Sequence, residues 1–142
     1  MTAIYSQLNT KINDILTGID KIKVIYPYPA VKIDKYPAAI YYPTSIENSF
    51  ETTVENRKTY GYKLWIVVNA TTETIQNIYS TVMPNTIDEV LAGIDEGWNF
   101  DTIDGHRVWC QVSTGIWTVS EEQNGIDVAA EIDLTIKTLT TN

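Results

Sequence analysis

The sequence predicts an α+β domain: a mostly antiparallel sheet of about five strands, with an N-terminal helix and a proline-kinked or split central helix packed on one face. Three observations lead there. Apolar residues recur at three- and four-residue steps near the N-terminus and again in the middle of the chain, which is helix spacing. Period-two alternation fills the stretches between and after them, which is strand spacing. The chain has 142 residues, of which 44% are hydrophobic and 20% charged, enough for one well-buried core and too few for a second domain. Residues 1–142 are therefore read as a single domain.

Ile4, Leu8, Ile12, Ile15 and Ile19, with Tyr5 and Leu16 beside them, line one side of a helix over about residues 2–17, and Gly18 is placed to end it. The alternation of Ile22, Val24 and Tyr26 then predicts a strand at 21–26, stopped by Pro27 and Pro29. Four of the five prolines follow a tyrosine, and each pushes the residue before it toward extended geometry. A short apolar run at 38–42, between Pro37 and Pro43, reads as a covered second strand.

Residues 44–56 are polar and lack a consistent period, so a projecting arm or loop is expected there. Ile46, Phe50 and Val54 have no evident place in the domain's own core. Deleting 45–55 is accordingly expected to leave the fold intact. The strongest strand follows at 58–68; its second half is apolar on both faces, which places it centrally in the sheet.

Thr71 or Thr72 is positioned to cap a helix carrying Ile75, Ile78, Tyr79, Val82 and Met83, continued beyond Pro84 by Ile87, Val90, Leu91 and Ile94. Pro84 should kink or split it, and Thr86 with Glu89 has the form of a capping box, favouring a restart there. Turn signals at Asp104-Gly105 and Asn124-Gly125 flank alternating strands at 106–113 and from Ile126 to Ile136, expected to pair as an antiparallel hairpin.

Composition narrows function. Cys110 is the only cysteine, so no intrachain disulfide forms. Ten Lys/Arg against 18 Asp/Glu give a net charge of −8, which disfavours a grip on nucleic acid or anionic lipid. No basic stretch precedes an apolar block at the start, and no apolar run approaches the ~18–20 residues of a bilayer span, so a soluble chain with no membrane partner is expected. Residues 1–63 hold 8 Lys/Arg and 6 Asp/Glu, residues 64–142 hold 2 and 12. Folding either mixes these halves over one surface or makes a two-faced subunit suited to head-to-tail stacking.

Chemistry is sparse. His106, the lone histidine, would share a strand face with Cys110, but four residues span roughly 13 Å at ~3.3 Å each, too far to ligate one ion together. Asp101 and Asp104 flank the adjacent turn, where aspartate commonly serves its own backbone. Asp127, Glu131 and Asp133 form an acidic stripe that suits solvent or basic partner groups. Cys110, alternating with valines, reads as a small buried hydrophobe. Phosphate-loop, dinucleotide, nucleophile-elbow and Cys-x-x-Cys patterns are lacking, so no catalytic residue, metal or cofactor is expected. The alternative is a small cytoplasmic enzyme or ligand-binding module with a cleft near Asp101, Asp104 and His106.

Tyrosine is more suggestive: seven of nine lie between Tyr26 and Tyr62, and tyrosine is both a strand former and an interface residue. The order of an N-terminal helix, the segment 36–43 (YPAAIYYP), the polar stretch 51–56 (ETTVEN), the strand 59–68 (TYGYKLWIVV), a long helix and a closing hairpin resembles the tail-terminator, or tail-completion, proteins of long-tailed bacteriophages. The resemblance implies a non-enzymatic virion protein that assembles in the host cytoplasm as a ring, commonly of six copies. Such a ring ends polymerisation of the tail tube and presents a surface to the head–tail connector, while DNA passes through its lumen without specific binding. The family supplies no motif residues to transfer. Interface candidates are therefore chosen from this sequence alone: Ile46, Phe50, Glu51 and Val54 on the arm, Tyr41 and Tyr60 among the tyrosines, and Asp127, Glu131 and Asp133 on the acidic stripe.

Overall fold

Helix α1, Ile4–Thr17, forms as its spacing predicts: Leu8, Ile12 and Leu16 stand one turn apart and are buried, whereas Ser6, Thr10, Asp14 and Thr17 face water. It stops before Gly18, whose N–H donates to the Asp14 carbonyl at 3.2 Å. The computed structural model describes residues 4–30, 32–50, 55–70, 75–97, 107–122 and 125–141.

Five strands make one sheet: β1 (Val24–Tyr26), β2 (Ala38–Phe50), β3 (Glu55–Asn69), β4 (Arg107–Glu122) and β5 (Gly125–Thr141), in the order β1-β2-β3-β5-β4. Every neighbouring pair is antiparallel except β1 and β2. The α+β class is the predicted one, and β3 takes the central place expected from its two-sided apolar half. β4 and β5 form the closing hairpin, with Glu122 opposite Gly125.

Side-chain alternation splits the sheet into two faces. Tyr60, Tyr62, Leu64, Ile66 and Val68 of β3, with Val128, Ala130, Ile132, Leu134 and Ile136 of β5, belong to the main core with the buried positions of α1. Burying each of these leucine- or isoleucine-sized side chains stabilises the fold by ~1.5–3 kcal/mol. The opposite face carries a smaller core of Tyr26, Ala38, Ile40 and Val67, covered in part by Ala30, Ile33 and Tyr36 from the segment joining β1 to β2. Tyr26 fixes that segment by accepting the Asp34 N–H at 3.1 Å, and the Tyr36–Pro37 peptide is cis.

The central helix accommodates its proline without a break. α2 (Ile75–Asn77) runs into a π-turn (Ile78–Val82), and α3 (Met83–Gly97) follows with Pro84 in its first turn. The Met83 N–H donates to the Ile78 carbonyl, five residues back. That widened turn relieves the clash of the Pro84 ring with the preceding turn. The capping-box expectation is corrected: Thr86 is buried inside α3 and its hydroxyl donates to the Val82 carbonyl at 2.7 Å, while Glu89 pairs with Lys21 at 2.6 Å. Thr71, Thr72, Asp104, Gly105 and Asn124 lie outside the described residues.

Three expectations about strand length are also corrected. Residues 44–50 are no loop; they continue β2, paired rung by rung from Ser45 opposite Gly61 to Phe50 opposite Asn56. A bulge between Pro43 and Ser45 resets the side-chain alternation, which is why no single period runs through the stretch. β4 likewise continues to Glu122 past a bulge between Val112 and Thr114. The first strand is shorter than expected, starting at Val24, and the Lys23 N–H bonds the Pro37 carbonyl at 2.8 Å. Among the described residues, no helix is long and apolar enough to cross a membrane.

Candidate functional site

The first candidate surface is the far end of the β2–β3 ladder. Tyr5, in the first turn of α1, packs edge-on against Tyr60 with ring centres 4.9 Å apart, and Tyr60 stands opposite Ile46. Ile46 is 52% exposed although its partner Tyr60 is 2% exposed. Beyond this row the ladder continues for four more rungs, to Phe50 opposite Asn56, and β5 accompanies it to Thr141 opposite Glu55. Of the arm expected at 44–56, residues 45–50 and 55–56 form a paired strand extension, with an exposed isoleucine at its root. Glu51, Val54 and the side chain of Phe50 lie outside the described residues.

Tyr41 and Tyr60 are not available to a partner. Both are 2% exposed, and they belong to a phenol cluster under α1. Tyr62 donates its hydroxyl to Asn9 Oδ1 at 2.7 Å, and Tyr41 donates to the Asn9 carbonyl at 3.2 Å. Burial pushes the hydroxyls of Tyr41, Tyr60 and Tyr62 above their ordinary pKa of 10.0, aided at Tyr41 by the Asp14 charge and at Tyr62 by its phenol neighbours. The choice of these two as interface residues is corrected: period-two alternation put them on a strand face but did not say that the helices cover that face.

The acidic stripe is engaged within the chain. Asp127 Oδ1 accepts the Asn69 side-chain N–H at 2.6 Å, and Glu131 pairs with Lys63 at 2.5 Å. Asp133 stands opposite Lys63 in the β3–β5 register. The hydrogen bond to Glu131, ahead of its charge, holds the Lys63 ammonium above its usual range. Both described ion pairs, Lys21–Glu89 and Lys63–Glu131, join the basic half of the sequence to the acidic half. Folding therefore mixes the two halves.

The second candidate surface was missed from the sequence. A cleft of about 570 Å³ opens on the sheet face away from the helices, between the segment joining β1 to β2 and the strands beneath it. Tyr36, Tyr42 and Trp65 supply aromatic wall, Asn69 and Asp127 a polar floor, and Lys32 a charge on the covering segment. The Trp65 indole N–H donates to the Tyr42 hydroxyl at 3.1 Å, which fixes both rings. Asn69 is 2% exposed, so the amide that orients Asp127 is itself held. The signal in the sequence was the apolar second face of β3; what stood over it was illegible, because the Tyr/Pro segment has no period.

His106, Asp101 and Asp104 lie outside the described residues. Cys110 is half-buried beside the main core, and burial, with the Asp95 charge, pushes its thiol from an ordinary 9.0 up to about 12. Among the described residues, no three His, Cys, Asp or Glu side chains converge as metal ligands. Against known proteins, the chain matches no family model and no curated sequence, so the geometry of these two surfaces is what a functional reading has to rest on.

Proposed function

We propose that this chain is a structural virion subunit, a tail-terminator-like protein that closes into a ring on the end of a phage tail tube, stops its polymerisation and offers the head-side joining surface. The observation that carries this reading is the paired extension of β2 and β3, with Ile46 exposed at its root. A row of ladder that runs past the first described turn of α1 and presents an isoleucine to water is suited to a protein neighbour. The order of helix, Tyr/Pro segment, long strand, central helix and closing hairpin supports the same reading. Mechanism follows from occupancy: one face matches the tube, and the other lacks the surface that would recruit a further tube ring. The excess of acid keeps phosphates off a lumen wall.

The extension alters the natural test. Deleting 45–55 would strip β3 of its partner from Gly61 to Asn56, so a point change is cleaner. Ile46→Glu, at an exposed position, should leave the far-UV circular dichroism and melting temperature of the isolated chain unchanged. In polymerising tube protein, the wild-type chain should cap tubes at defined length by electron microscopy and co-sediment with them, and the variant should do neither. Wild-type chain that leaves tube length unaltered and stays in the supernatant would overturn the assignment. A second reading, a small-ligand-binding module, is favoured by the cleft over Trp65 and Asp127 instead of by the Asp101–His106 neighbourhood.

A further inference from the structure

The lining of the outer cleft is selective in charge. Among the described residues its lining holds two charged side chains, of opposite sign and from different elements: Lys32 from the segment joining β1 to β2, Asp127 from β5. Most of the remaining lining is aromatic and aliphatic, with Tyr36, Tyr42 and Trp65 as its large rings. We propose that this cleft binds a small zwitterion with an apolar body, the class of a free apolar amino acid or dipeptide, its ammonium on Asp127 and its carboxylate on Lys32.

Elimination by charge leads there. A simple anion meets Asp127 and a chain of net charge −8; a simple cation meets Lys32; a neutral apolar ligand strips water from a carboxylate and gives nothing back. A ligand carrying both charges satisfies both side chains, and its body replaces water on the rings. The site is also built in advance. Asn69 holds one Asp127 oxygen at 2.6 Å, Trp65 and Tyr42 are joined at 3.1 Å, and Tyr26 pins the covering segment through the Asp34 N–H. What remains to be ordered on binding is chiefly the exposed Lys32 side chain. A volume of about 570 Å³ is within the range of small-molecule sites and larger than a single amino acid needs, so a dipeptide is the better probe.

The experiment is isothermal titration of the full chain with alanyl-phenylalanine, its N-acetyl form, its C-amide and the doubly blocked form. The free dipeptide should bind saturably, and each singly blocked form at least about tenfold more weakly, the loss expected for one charge-assisted hydrogen bond. Asp127→Asn should abolish discrimination against the acetylated form alone, and Lys32→Gln discrimination against the amide alone. No saturable binding of the free dipeptide at millimolar concentration, or equal affinity for the doubly blocked form, would overturn the proposal. Because the ligand series is run on the unaltered chain, a variant that misfolds does not rescue it. The site is independent of ring assembly: tube capping and dipeptide titration are separate measurements, and either result stands without the other.

Discussion

The hydrogen bond from Tyr62 to Asn9 joins the central strand to the middle of α1, and a double-mutant cycle on it reads how the helix is fastened to the sheet. Tyr62 is 1% exposed and its donor distance is 2.7 Å, so its hydroxyl depends on Asn9 for a partner. Asn9 is only half-buried and can turn to water. Tyr62→Phe removes the donor and should cost about 1 kcal/mol, the net worth of one hydrogen bond. Asn9→Ala strands the phenol at a cost of ~1–3 kcal/mol, less ~0.5 kcal/mol returned because alanine is the better helix former. The Tyr41 bond goes to the Asn9 carbonyl and survives both changes. In the Phe background, Asn9→Ala has nothing left to strand and should be neutral or slightly stabilising. The expected coupling is therefore ~1–3 kcal/mol, read by urea unfolding followed by far-UV circular dichroism, with melting temperature moving about 3 °C per kcal/mol. If Asn9→Ala costs the same with Tyr62 and with Phe, the phenol is not held by this bond and the account of α1 docking is wrong.

Two further expectations concern the strand bulge and alkaline pH. Gly61 faces the β2 bulge so closely that a Cβ there would meet the Ser45 hydroxyl and lie 3.1 Å from Thr44 Oγ1; Gly61→Ala should cost ~1–2 kcal/mol in urea unfolding, with about half recovered by adding Ser45→Ala. A simple propensity gain, with Gly61→Ala more stable than wild type, would refute the close approach. Tyr41, Tyr60, Tyr62 and Cys110 all hold their protons more tightly folded than unfolded. The folded state thus binds more protons than the unfolded chain above the ordinary values of 9.0 for the thiol and 10.0 for the phenols, so stability should be insensitive to these groups below pH 9 and fall as pH rises from there. Tyr62→Phe should flatten that fall; a profile level to pH 11 would contradict the burial of these groups.

What the sequence made legible follows the length and purity of its periods. α1 and β5 were readable because one residue type recurs at one spacing over several turns or rungs, as with Leu8, Ile12 and Leu16, or Ile132, Leu134 and Ile136. Period-two reading fails at a bulge, where one inserted residue inverts inside and outside. That is why β2 was read as ending near Tyr42 and β4 near Ser113, although both ladders continue. Pro84 was read as a kink or break, yet the helix runs on through it by way of a π-turn that the sequence did not announce, and Thr86 and Glu89 imitate a cap that three-dimensional contacts assign elsewhere. The outer cleft was illegible for a different reason: its parts lie on four strands and an aperiodic segment, and nothing local in Lys32 or Asp127 announces that they line one cleft.

The strand extension beyond Tyr60 bears on how fast and how selectively a neighbour would be engaged. A disordered tail must lose chain entropy at the moment of contact, which weakens each square ångström it covers. Here the backbone of Ser45 to Phe50 is already held by its rungs to β3, so that loss is settled when the chain folds. On the proposed reading a partner would therefore meet a pre-paired backbone, would reject mismatched surfaces by geometry instead of by wrapping, and would release slowly once seated.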